Sequence, residues 1–396
     1  MDENGLVLRV VLELRGGFQR LKLPIFLEAV SSALMAYSAP KMEPTNVPAM
    51  AALVEGGEVG KWNYDLKPEG VNDVTIKIMK CGVCATDHHM IDNAWGFSTY
   101  PLVPGHEIVG EVVSMGPKVT GFKLGDVVGL GCLAQSCEKC DFCCKERDNL
   151  CPQLVFTYFG SVKDETGEFQ HRGGFASYIR TPYTKVLKIP EGLDPAEAAP
   201  LLCAGVTTFS HLMEFSKGTG DLKGKKVGVI GPGGLGHLAV QYAAKMGADT
   251  VVIARNDRKK DFATQLGATG FLISESKEEM EKAARSFDFI MSCISGGDFD
   301  VHPYLNLLSP YGTLHFVGIP DKPFTLDVKA MVFTRRAMSG SPVGSTQQCK
   351  ETLEFSAKHG VKPIIERFPH SKAEEVLTKV KEGKVRFRAV LENDLI

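Results

Sequence analysis

Several things are scarce in this chain. No stretch of its 396 residues approaches the roughly 18 uncharged apolar positions of a membrane-spanning helix, so no membrane is expected as a partner. An excess of positive charge is missing too. Forty-five Lys and Arg stand against 47 Asp and Glu, a net charge of -2, which argues against nucleic acid as a partner. There is no acidic tail, internal repeat or low-complexity tract. What is plentiful is cysteine: eleven, many placed like metal thiolates, which implies a reducing compartment and an expected cytoplasmic location.

The length suggests two domains with sizeable cores. Ahead of them, Arg9, Arg15, Arg20 and Lys22 precede a mostly apolar run at 25–35, in the manner of a signal peptide or an organellar presequence. Asp2, Glu3, Glu13 and Glu28 run against both readings. Residues 1–45 are therefore read as an accessory extension, with targeting left open.

Cys137, Cys140, Cys143 and Cys151 follow the spacing C-x2-C-x2-C-x7-C. One turn-rich segment of that spacing wraps a single tetrahedral ion, and zinc with four thiolates is the closed, structural kind of site. Cys144 points the wrong way and Cys132 lies too far upstream.

Alternation in residues 73–79 (DVTIKIM) and the Gly and Pro punctuation of 100–131 indicate a β-rich region. After Leu201 the rhythm becomes strand, helix, strand: an apolar run at 225–230, a helix at 235–246 and strands at 250–254, 287–292 and 312–319. Ser276 with Glu279 reads as a capping box before a further helix. That rhythm predicts a doubly wound parallel sheet, hence an α/β chain. A helix at 347–359 and a strand at 385–391 do not extend it, and are read as a return to the first domain. The expected division is 46–200, 201–345 and 346–396.

Gly231, Pro232, Gly233, Gly234, Leu235 and Gly236 form GPGGLG after a strand and before a helix, the context in which backbone approaches a pyrophosphate. The next strand ends in Ala254 and Arg255, where an acid for a ribose hydroxyl normally stands. Arg255, Arg258, Lys259 and Lys260 cluster there instead, which favours NADP(H) over NAD(H). Asp257 is read as the N-cap of the following helix. Cys84, His106 and Cys203 remain as donors that leave a fourth position open, the arrangement of a catalytic zinc. Cys81 with Cys84 also makes a CxxC, for which a redox pair is the rival reading.

The stretches CGVCATDHH (81–89), YPLVPGHEIVGEV (100–112), GDVVGLG (125–131), the four-cysteine lobe, APLLCAGVTTFS (199–210), GPGGLGHLAVQYAAKMGA (231–248) and VRFRAVL (385–391) resemble, in order, those of zinc-dependent medium-chain alcohol dehydrogenases. The likeness covers roughly residues 50–392, and it is to the cinnamyl alcohol dehydrogenase and broad-range aldehyde reductase branch. It implies a GroES-like catalytic domain and a Rossmann cofactor domain. It further implies two Zn2+ per chain, NADP(H), an alcohol or aldehyde substrate and a homodimer joined by edge strands near residues 335–340.

By the same resemblance Cys84, His106 and Cys203 hold the catalytic zinc, Glu107 approaches it during ligand exchange, and Asp87 orients the histidine. Thr86 bonds the substrate oxygen and His89 passes the proton outward, while His88 has no family role. Thr207, Gly231 to Gly236, Arg255, Lys259, Cys293, Gly318, Ser341, Pro342 and Val343 align with cofactor contacts, and Ala254 replaces a common serine. Phe156 and Pro342 stand where lignin-pathway enzymes carry tryptophan and phenylalanine, and Trp95 adds aromatic surface. The expected function is NADP(H)-dependent interconversion of primary alcohols and aldehydes, aromatic or medium-chain aliphatic. The alternatives are a polyol or secondary-alcohol dehydrogenase, and an inactive zinc- and nucleotide-binding scaffold or redox sensor.

Overall fold

Strand Asp73–Val83, buried except at Lys77, Met79 and Lys80, runs through the middle of a seven-stranded sheet. The structure, a computed structural model, describes residues 46–396; the extension and its targeting question lie outside the described residues. In the sheet, Val186–Lys188, Val127–Leu130, Ile108–Met115, Asp73–Val83, Arg388–Glu392 and Ile365–Pro369 lie side by side. Tyr178–Pro182 also pairs with Asp73–Val83. The last strand of the chain is thus hydrogen-bonded to residues 80–83, some 300 positions earlier.

The second sheet is wholly parallel, in the order Gly270–Ile273, Asp249–Ala254, Lys226–Ile230, Phe287–Ser292, Leu308–Phe316, Ala337–Gly340. Chain order reverses between Lys226–Ile230 and Phe287–Ser292, so a crevice opens beyond their C-terminal ends. Helices Val206–Phe215 and Gly236–Lys245 bury Phe209 and Tyr242 against this layer. Helix Thr346–His359 packs on Val206–Phe215 and carries a complete capping box between Ser345 and Gln348. Among the described residues no helix is long and apolar enough to cross a membrane.

Three local expectations need correction. The strand expected at 312–319 is Leu308–Phe316, because its pairing with Phe287–Ser292 begins at Leu308 and a bulge absorbs the residues before Thr313. Asn256, not Asp257, caps the turn after Asp249–Ala254, its side chain accepting from Arg258 N at 3.3 Å. The Ser276 box is half formed: Ser276 accepts from Glu279 N, but the Glu279 carboxylate accepts from Ile273 N at 2.9 Å.

Asp148 fastens the four-cysteine lobe to the rest. Its carboxylate meets Lys185 Nζ at 2.5 Å and accepts from Thr346 N at 2.9 Å and Thr346 Oγ1 at 2.6 Å. Burial would raise its pKa, but the Lys185 and Thr346 donors outweigh this and hold it below the usual carboxylate range. The stabilisation is therefore complete above the unfolded value of about 3.9, and fades as pH falls through the lower folded value. Asp148→Asn leaves Lys185 buried without its counter-charge, and should cost about 3 kcal/mol at pH 7 in urea unfolding. The difference from wild type should shrink below about pH 4.

Candidate active site

Cys84 ends strand Asp73–Val83 and caps helix Ala85–Ile91, a seven-residue helix whose third position is Asp87. That carboxylate is fully buried and satisfies three donors: Cys84 N at 2.8 Å, Gly105 N at 3.0 Å and His106 Nδ1 at 3.1 Å. With Nδ1 bonded to Asp87, the neutral ring turns its Nε2 lone pair to the cluster, and this buried atom has no partner among the described residues. Cys203 arrives from a π-helical turn, Leu201–Gly205, wedged between Pro195–Pro200 and Val206–Phe215. Such turns redirect side chains inward at functional sites.

The structure brings one donor atom each of Cys84, His106, Glu107 and Cys203 within 4.8 Å of one another. A hydrogen bond from Cys203 pulls the Cys84 thiol well below its ordinary range, while Cys132 and Cys84 push Cys203 well above it. Two thiols this close cannot both ionise unaided, and a divalent cation stabilises both as thiolates. Two sulfurs, an imidazole nitrogen with a free lone pair and a carboxylate suit zinc.

Glu107 is held by Arg388 through one oxygen, while its Oε2 has no partner among the described residues. Burial outweighs that guanidinium and raises Glu107 to about 7. Gly82 is required here, since a Cβ would strike the Glu107 carboxylate. Thr86 Oγ1 lies 3.5 Å from Cys84 Sγ, and half-buried His89 stacks on Trp95 at 5.3 Å. His88 turns away to the Leu377 carbonyl. Cys81 is buried and its thiol pushed well up by desolvation, the opposite of a reactive redox thiol.

The second group, Cys137, Cys140, Cys143 and Cys151, also has its four sulfurs within 4.8 Å, and Cys144 is exposed outside it. Backbone N–H groups of Cys140, Cys137 and Gln153 point at these sulfurs at 3.3–3.4 Å. Backbone donors from Lys139 and Cys140 lower Cys137 to about 6, while burial raises Cys143 to about 11. Four thiolates with preset N–H donors fit zinc, with no donor position left for a substrate.

The glycine loop lies at the crevice. Gly231 has φ +79°, and a Cβ on Gly236 would strike the Gly231 carbonyl, whereas nothing lies within 4 Å of a Cβ on Gly233. The loop is thus closed below and open above, as a phosphate cradle requires. Cys293, Gly318 and Ser341 to Val343 follow the ends of strands Phe287–Ser292, Leu308–Phe316 and Ala337–Gly340, with Ser341 N donating to Phe316 O at 3.1 Å. Thr207 opens helix Val206–Phe215, Leu235 caps Gly236–Lys245, and exposed Arg255 follows Asp249–Ala254. Lys259 Nζ reaches back to Pro232 O at 3.1 Å.

Three residues given no role from the sequence complete the site. Arg388 is buried; its Nη1 would lie 3.4 Å from a Cβ on Gly234 while its Nη2 holds Glu107. The signal was a cation inside an apolar strand. Tyr158 backs the His106 ring at 4.7 Å. From it an aromatic rail runs through Phe159 (5.5 Å), Phe156 and Phe97, the last two 4.8 and 4.9 Å from Phe159, to Trp95 at 5.8 Å from Phe97. Cys132 sits against Cys203.

Residues 70–191 match the family model of the alcohol dehydrogenase GroES-like domain, and 234–358 that of the zinc-binding dehydrogenases. The chain is 40% identical over 362 residues to cinnamyl alcohol dehydrogenase 2 of Rauvolfia serpentina, covering 90% of this chain and 98% of that one. A cinnamyl alcohol dehydrogenase structure from Sorghum bicolor superposes with a TM-score of 0.83 at 37% identity, covering 88% of this chain and 98% of that one. The Helicobacter pylori enzyme of the same name, complexed with NADP(H), gives 0.79 at 33% identity, with 88% and 98% covered.

Asp87→Ala should free the His106 ring and lower zinc affinity about 10- to 100-fold in competition with a chromogenic chelator, with the fold intact. Unchanged affinity would show that the carboxylate does not position the donor.

Proposed function

Because the chain belongs to the zinc-dependent medium-chain alcohol dehydrogenases, in the branch of the cinnamyl alcohol dehydrogenases, we propose that it interconverts primary alcohols and aldehydes with NADP(H). One observation carries this reading: the Arg388 guanidinium pairs with Glu107 of the buried donor cluster and stands beside Gly234, where a Cβ would lie 3.4 Å from its Nη1, which supports metal and coenzyme sites in one crevice.

In this reading Cys84, His106 and Cys203 hold a catalytic zinc with Glu107 beside it, and the four-cysteine lobe holds a second, structural one. When bound, zinc supplies Lewis acidity toward the substrate oxygen and the nicotinamide supplies or takes hydride. The protein does the rest. Thr86 bonds the substrate oxygen and moves its proton toward His89, which hands it to solvent. Thr207, Cys293, Gly318 and Ser341 to Val343 seat the nicotinamide half; Gly231 to Gly236 seat the pyrophosphate; Arg255 and Lys259 receive the 2′-phosphate. The rail from Tyr158 to Trp95 favours planar aromatic aldehydes, which bury their rings against it. A catalytic domain of residues 46–200 completed by 346–396, around a cofactor domain of 201–345, is supported by strands Ile365–Pro369 and Arg388–Glu392 in the first sheet, although helix Thr346–His359 packs on Val206–Phe215.

A homodimer belongs to the same reading. Ala337–Gly340 is an exposed edge strand, and Val332 and Phe333, 66% and 84% exposed, lie just before it.

A steady-state screen of aromatic and aliphatic aldehydes with NADPH tests the activity; no reduction of any carbonyl by metal-replete protein would overturn it. Elemental analysis should give two zincs per chain. Cys84→Ser should abolish turnover and remove one of them while NADPH binding persists.

A further inference from the structure

Phe387 has φ +72°, a left-handed conformation in which a bulky aromatic residue is rare and costs energy. It immediately precedes Arg388, and its place is fixed from both ends. Arg388 is anchored on Glu107, and the Phe387 carbonyl lies 3.0 Å from where a Cβ on Gly234 would stand. With Arg388 anchored, an ordinary negative φ would swing the Phe387 ring off the nucleotide loop.

As built, the ring is gripped by the opposite sheet's surroundings. It stacks on Phe262 at 4.6 Å and 22°, and tilts against His237 at 5.0 Å. His237 is itself fixed, Nδ1 to Gly233 O at 3.1 Å and Nε2 to Ile364 N at 3.2 Å. Over the ring stands the Lys259 ammonium, 5.6 Å from the centroid, which also donates to Pro232 O. The ammonium is therefore held between an aromatic face and the glycine loop.

We propose that Phe387 is a positioning residue for coenzyme discrimination: its ring, held by a strained backbone, presents Lys259 to the 2′-phosphate of NADP(H). The strain is stored in the same peptide that delivers Arg388 to Glu107, so one turn aligns both ends of the coenzyme. This rests on the reading of Lys259 as a 2′-phosphate ligand.

The test is isothermal titration calorimetry of NADP+ and NAD+ on zinc-loaded protein. Phe387→Leu keeps bulk but loses the π face, and should lower the preference for NADP+ over NAD+ about three- to thirtyfold, the range of a cation–π contact. NAD+ affinity should stay unchanged, and Phe387→Tyr should restore the preference. In a Lys259→Ala background, Phe387→Leu should have no further effect. An equal loss for both coenzymes, or a loss that adds to that of Lys259→Ala, overturns the proposal, since either marks a merely structural role. A fall in Lys259→Ala with none in Phe387→Leu overturns this proposal alone. An unchanged preference in Lys259→Ala overturns the Lys259 reading and this proposal with it.

Discussion

A single buried carboxylate sets the geometry on which the chemistry depends. Asp87 receives the backbone of Cys84, the backbone of Gly105 and the ring of His106. Two donors from different strands are thereby held in one register, and the imidazole is fixed in the tautomer that leaves Nε2 available. Desolvation would otherwise make such a carboxylate costly, but three donors compensate it, and it caps its own short helix at the same time. Cys203 needs no such bond, because the π turn places it from the far side.

The two sheets meet through the end of the chain. Arg388–Glu392 pairs with residues 80–83, immediately before Cys84, and its first residue reaches Glu107 and the glycine loop. A hydride donor and a polarised carbonyl must be held within van der Waals contact for transfer. The first residue of a strand in one sheet stands beside the loop of the other, fixed there by a buried ion pair in place of a flexible linker, which suits that requirement.

Much of this was legible in the sequence, for identifiable reasons. The glycine loop announces itself because phosphate cradling demands glycines at fixed offsets, and the four-cysteine lobe because its ligands lie within fifteen consecutive residues. The parallel sheet follows from the strand and helix rhythm. The Glu107–Arg388 pair did not show, since its partners are 281 positions apart and no local period connects them. Tyr158 carries no motif of its own, and only the fold lays it on His106. Cap details failed at the scale of a single turn: Asn256 outcompetes its neighbour Asp257, and Glu279 takes Ile273 N in place of Ser276 N, because nearby groups offer equally good geometry.

The four-cysteine lobe is fastened to the rest of the protein at several points outside its cysteine cluster. Besides Asp148, Arg147 pairs with Glu214, and Asn149 donates to the Val343 carbonyl at 2.9 Å, within the segment proposed above to seat the nicotinamide. In the proposed reading Val343 lines the nicotinamide's seat, and Asn149 would carry to it any loosening of the lobe that oxidation of its four thiols brings about.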